Sequence, residues 1–133
     1  MAISLLLVDD DESVVCLLKI ILEEEGFKVD FAYSGMAGVE KVTPRKYAVA
    51  LLDYVLPDIK GDEVAEKIRL LDSEVGLILL TGYKLAIDPL KLGRFDYVLE
   101  KPAQPEDIIA AIRELVSVVL TRSASEMIAT IEN

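Results

Sequence analysis

The chain is punctuated by short, nearly unbroken apolar runs. Ile3 to Val8, Tyr47 to Leu52 and Val75 to Leu80 carry almost nothing polar, and each stops at a polar residue or a loop signal. Continuous runs of this length predict strands covered on both faces, as in parallel sheets. Phe27 to Ala32 behaves differently: Phe27, Val29 and Phe31 share one side and Lys28 and Asp30 the other, the pattern of a half-covered edge strand. Phe95 to Glu100 is the remaining strand.

Between these runs the apolar positions adopt helical spacing. From Ser13, the residues Val14, Leu17, Leu18, Ile21 and Leu22 form one stripe, which Glu23 to Glu25 and then Gly26 bring to an end. A second helix is expected from Ser34 to just before Pro44, and a third from about Asp62 to Leu71 with Val64, Ile68 and Leu71 inward. The last runs from Pro105 to about Leu120, with Pro105 suited to a first helical turn. Its arc of Ile108, Ile112, Leu115 and Val119 is core, while Ile109, Val118 and Leu120 at the margins offer a dimer or partner face. Between Gly82 and Gly93, Pro89 leaves room only for a short helix capped by Asp88.

Strand and helix alternate throughout, which predicts a parallel sheet with right-handed crossovers, hence a doubly wound α/β fold with a short fourth helix. Residues 1–121 are expected to form the domain. Ser123 and Glu126 have capping-box spacing before Met127, Ile128 and Ile131, so 122–133 is expected as a tail or a short extra helix.

Composition narrows the partners. A chain of 133 residues that is 53% apolar is of single-domain size. Its 14 lysines and arginines against 24 aspartates and glutamates give a net charge of −10, which argues against nucleic acid and anionic membrane as direct partners. The single cysteine, Cys16, rules out an internal disulfide framework and suits packing or surface in a reducing compartment, so a cytoplasmic location is expected. The first apolar run has no basic residues ahead of it and meets Asp9 too early for a signal peptide or a membrane span. Histidine is absent, so any imidazole chemistry must be borrowed from another molecule.

In open α/β sheets ligands bind outside the carboxyl ends of the strands. The first strand is followed by Asp9, Asp10, Asp11 and Glu12, the third by Asp53, the fourth by Thr81 and Gly82, and the fifth by Lys101 and Pro102. Carboxylates crowded at one sheet edge repel one another, and a hard, oxygen-seeking cation such as Mg²⁺ relieves the repulsion. With such an ion and an ammonium nearby, a carboxylate can attack phosphorus and form an acyl phosphate. Asp11 or Ser13 is expected near the cap of the first helix. Ser34 and Gly35 are not read as a phosphate loop, because no glycine-rich cradle or GK[ST] sequence accompanies them.

Four segments, LLLVDDDE at 5–12, LLDYVLPDIKG at 51–61, LLTGY at 79–83 and EKPA at 100–103, occur in this order, each after its own apolar strand. With these segments the chain resembles the receiver domains of two-component response regulators over nearly its whole length. The resemblance implies a flavodoxin-like five-stranded sheet of order 2-1-3-4-5. It implies Asp53 as phosphoacceptor, Asp10 as a direct Mg²⁺ ligand, Asp9 as a ligand mainly through water, and the Val55 backbone carbonyl as a further ligand. Thr81 would hydrogen-bond a phosphoryl oxygen, Lys101 would pair with the acceptor or its phosphate, and the Lys101–Pro102 bond would be cis. The implied phosphate donor is a histidine kinase or histidine phosphotransfer protein, with a downstream protein target not named by the sequence and a homodimer through the fourth-helix to fifth-helix face as a further partner. Such a domain is a signalling switch with self-phosphorylation and slow self-dephosphorylation rather than an enzyme acting on a separate substrate. It acts alone by binding or as part of a longer chain.

Two departures from that family stand out. The position three before the conserved lysine, often aromatic and part of the response, is Val98, and the neighbouring Tyr97 should face the other way. Val55 and Tyr83, two positions beyond the acceptor and the threonine, are poorly suited to align an attacking water, so slow loss of phosphate is expected. Two rival readings are a haloacid-dehalogenase-type phosphatase with Asp9 as nucleophile, since Asp9, Asp11 and Ser13 satisfy DxDx[ST], and a degenerate receiver serving only as a binding module. The first leaves Asp53 and Lys101–Pro102 unexplained; the intact acidic set argues against the second.

Overall fold

The computed structural model describes residues 2–82 and 86–132, and beyond Thr121 only the side chain of Ile128. In chain order the elements are β1 (Ser4–Val8), α1 (Glu12–Glu24), β2 (Lys28–Ala32), α2 (Gly35–Lys41), β3 (Val49–Asp53), α3 (Gly61–Leu71), β4 (Gly76–Thr81), α4 (Pro89–Leu92), β5 (Tyr97–Glu100) and α5 (Pro105–Glu132). The strands form one parallel sheet of order β2-β1-β3-β4-β5. Fold, strand order and the short α4 agree with expectation.

Because side chains alternate along a strand, the apolar runs feed two cores. Leu5, Leu7, Val49, Leu51, Ile78 and Leu80 face α1 and α5. Their neighbours Leu6, Val8, Ala50, Leu52, Leu77 and Leu79 face the other way, against Val64, Ala65 and Ile68 of α3. Every residue of β4 is buried, which explains why its sequence shows no alternation.

Local signals end the helices as expected in three places. Asp11 caps α1, its Oδ1 accepting from the Ser13 and Val14 amides at 2.9 and 3.3 Å. Ser34 caps α2 through the Ala37 amide, and Asp88 caps α4 through the Leu90 amide. Gly26 ends the α1 turn with φ of +94°, a conformation that costs glycine little.

Three expectations need correction. The inward face of α1 is centred on Val15, Leu18 and Leu22, and Leu17 is 59% exposed, since it lies two residues from Val15 and so on the far side of the helix. Leu71 is exposed at the end of α3, where the chain turns so that Asp72 can accept the Arg45 amide at 3.1 Å. Finally, α5 does not stop near Leu120. It continues unbroken through Glu132, because no glycine or proline follows Pro105 to end it.

Candidate functional site

Register brings the strand-end residues together. Val8 pairs with Leu52, so Asp9 and Asp53 leave adjacent strands one step later; Leu80 pairs with Asp53, and Thr81 with Glu100. The Lys101 amide donates to the Thr81 carbonyl at 2.9 Å, holding the end of β5 beside that of β4. The Lys101–Pro102 peptide bond is cis.

Asp9, Asp10 and Asp53 each offer a carboxylate oxygen, and these oxygens lie within 4.8 Å of one another. Asp9 is buried, Asp53 half-buried and Asp10 exposed, so the cluster opens to solvent on one side. Lys101 Nζ donates to Asp9 Oδ2 at 2.9 Å and stands 3.6 Å from Asp53 Oδ1. The Asp11 amide donates to Asp9 Oδ1 and the Tyr54 amide to Asp53 Oδ1, at 3.0 and 2.8 Å. Thr81 is fully buried at the end of β4. Val55 is exposed just after β3. Tyr83 lies outside the described residues.

Burial raises the Asp53 carboxyl above its ordinary value; Lys101 and the Tyr54 amide pull it down, while Asp9 and Asp10 push it up. Burial works against the charge on Lys101, but the hydrogen bond to Asp9 and the attraction of Asp53 and Asp9 outweigh it and raise its affinity for the proton. One ammonium, paired with Asp9 and Asp53, thus serves a cluster of three carboxylates. Such an all-oxygen donor set with residual negative charge fits a hard divalent cation such as Mg²⁺.

Two residues that sequence reasoning did not single out shape the loop after Asp53. Asp58 accepts from the Gly35 and Met36 amides, both at 2.8 Å, and from Ile59 at 2.9 Å, tying the loop to the start of α2. These bonds, led by that from Met36, hold the Asp58 carboxyl below its ordinary value. Gly61 begins α3 by donating to the Tyr54 carbonyl at 2.8 Å, and a Cβ there would collide with the Asp53 carbonyl and lie 2.9 Å from the Tyr54 Cα. In the sequence Gly61 stands only as the last residue of the LLDYVLPDIKG segment. Its close approach to Asp53 needed the fold.

The model for the response regulator receiver domain matches residues 5–113. The chain belongs to the response regulator receiver family. Among curated relatives, the acid tolerance regulatory protein ActR of Rhizobium meliloti is 40% identical over 112 residues, covering 82% of this chain and 57% of ActR. The transcriptional regulatory protein YkoG of Bacillus subtilis is 36% identical, covering 82% of this chain and 49% of YkoG. The receiver domain therefore spans roughly half the length of the curated relatives it matches. Among solved structures, a CheY-like receiver domain from Methanospirillum hungatei aligns with TM-score 0.84 at 29% identity, covering 92% of this chain and 99% of that one. The response regulator TrrA of Thermotoga maritima, solved with Mg²⁺ and BeF, aligns with TM-score 0.77 at 30% identity, covering 85% of this chain and 98% of its own. Membership in a two-component system follows, and the match gives the phosphatase reading no support.

The departures at β5 are visible in the receiver domain. Val98 packs on the α3 side of the sheet and Tyr97 on the α1 and α5 side, as alternation requires. The Glu114 carboxylate of α5 beside the Tyr97 phenol, with burial, raises that phenol above its ordinary value. Among the described residues, no helix is long and apolar enough to cross a membrane.

Proposed function

We propose that this receiver domain is a phosphoacceptor switch in which Asp53 takes the phosphoryl group. The observation that carries the reading is the convergence of Asp9, Asp10 and Asp53, with the Lys101 ammonium paired to Asp9 and Asp53. An Asp53 oxygen attacks the phosphorus of a phosphohistidine; the O–P bond forms, the P–N bond breaks, and its electron pair leaves with the imidazole. Asp9, Asp10 and Asp53, with the Val55 carbonyl, would hold Mg²⁺, which when bound neutralises charge on the transferring oxygens. Lys101 neutralises the same charge from the β5 side. The Thr81 hydroxyl is assigned to a phosphoryl oxygen, so that phosphorylation draws the end of β4 toward that of β3.

These 133 residues contain no histidine, so the phosphohistidine lies outside them, on a histidine kinase or phosphotransfer protein. An apolar groove of about 410 Å³ beside Lys101, lined by Val14, Leu17, Pro102, Ala103 and Ile108, supports docking of such a donor within reach of Asp53. It also gives a reason for the exposure of Leu17. The downstream partner is a protein, in the cytoplasm. With Mg²⁺ and a small acyl phosphate donor, the wild type is expected to take up one phosphoryl group and Asp53→Asn none. Equal uptake by both would refute the assignment.

A further inference from the structure

The inward side of α3 is apolar at Val64, Ala65 and Ile68, yet its second residue, Asp62, is also buried, only 6% exposed. Its Oδ1 is buried with no hydrogen-bond partner among the described residues. Its Oδ2 lies 3.4 Å from Arg94 Nη1 and 4.0 Å from Lys91 Nζ. The same Arg94 nitrogen also donates to the Asp62 carbonyl at 3.2 Å and to Glu66 Oε2 at 3.1 Å. One guanidinium nitrogen is thus spread over three acceptors, and a buried carboxylate is only half satisfied. A charge taken out of water is stable only when its partners are complete, so this joint is closed but under stress.

Its place in the fold gives the stress a use. Lys91 is in α4 and Arg94 follows it, and α4 buries none of its own residues. The segment is anchored at its ends by Ile87 and Phe95. Within α4, Leu92 alone packs against the core, and only partly, which marks the helix as an element able to open locally. Both halves of the joint lead back to the site. Asp62 follows Gly61, which abuts the Asp53 carbonyl, and α4 is the helix that follows Thr81. The joint thus lies where α4 meets the first turn of α3.

We infer that Asp62, Arg94 and Lys91 form a latch that holds α4 against α3 until Asp53 carries a phosphoryl group, whereupon it opens and α4 becomes the surface a partner reads. The inference rests on Asp53 as acceptor. It gives the receiver domain an output that does not depend on an aromatic side chain at Val98. It also explains why α3 keeps a buried charge among apolar neighbours.

The test is hydrogen–deuterium exchange of the full chain over residues 86–95, with and without Mg²⁺ and fluoroberyllate as phosphoryl mimic, alongside titration of fluoroberyllate affinity. In the wild type the mimic is expected to speed exchange over this segment. Arg94→Gln should show that faster exchange without the mimic and bind it roughly fivefold more tightly, since coupling is reciprocal. Asp62→Leu, which removes the acceptor that Arg94 and Lys91 share, should likewise speed exchange without the mimic and tighten its binding. A wild type that binds no fluoroberyllate overturns both the acceptor and the latch. One that binds it with unchanged exchange, or variants with unchanged affinity, overturn the latch alone.

Discussion

Lys101 reaches from the end of β5 past β4 and β3 to donate a 2.9 Å hydrogen bond to Asp9 at the end of β1. It is the one cation among the described residues paired with both Asp9 and Asp53. Replacing it by methionine leaves the buried Asp9 beside Asp10 and Asp53 with no compensating charge. Lys101→Met is expected to melt at a lower temperature than the wild type without Mg²⁺, and to gain more from saturating Mg²⁺ than the wild type does. Differential scanning fluorimetry across a Mg²⁺ titration checks this; an equal Mg²⁺ response in both proteins would contradict it.

Asp58 is held below its ordinary value by amide bonds led by that of Met36, so folding favours its ionised form. The sign follows: the stabilisation is complete above the ordinary carboxyl value of 3.8 and is lost as pH falls through the lower folded value. Asp58→Asn, which cannot accept both amides, should therefore melt below the wild type at neutral pH. The gap should close in acid, below the folded value. Melting curves from pH 2 to pH 7 provide the measurement, and a gap that widens on acidification would rule out this role.

Gly61→Ala forces a methyl group into the Asp53 carbonyl and the Tyr54 Cα. The start of α3 must shift, and overpacking of this kind costs about 1–3 kcal/mol. Urea unfolding measures the loss, and fluoroberyllate affinity should fall with it because the displaced backbone carries Asp53, the proposed acceptor. Full affinity and stability in Gly61→Ala would show that the close approach has no consequence.

The side chains at Val55 and Tyr83 cannot align an attacking water as an amide or carboxylate could, so the phosphorylated form is expected to decay slowly. Val55→Asn with Tyr83→Glu should shorten its lifetime at least severalfold, read by loss of label after the donor is removed. An unchanged decay rate would show that these residues do not shield the phosphate.

The alternation of elements, the helix start at Ser34, the cap at Asp88 and the strand-end residues were legible because each rests on local sequence, and the strand order because the family resemblance implies it. What was not legible depends on distant parts meeting. Leu17 belongs to the α1 stripe by spacing, and only the docking of Val15 against the sheet shows that the stripe is rotated. Asp58 reads as a turn residue until α2 brings its amides to it, and Gly61 until α3 starts against Asp53. Asp62 reads as an ordinary acidic first-turn residue, because its partners Lys91 and Arg94 lie about thirty positions away.

The central claim is that Asp53, and not Asp9, carries the phosphoryl group. Treating the phosphorylated chain with borohydride reduces an aspartyl phosphate to homoserine, and peptide mass spectrometry then locates it. Homoserine at position 53 in the wild type, and none in Asp53→Asn, is the expected outcome. Homoserine at position 9, or an unmodified Asp53 in a chain that has taken up phosphate, would contradict it.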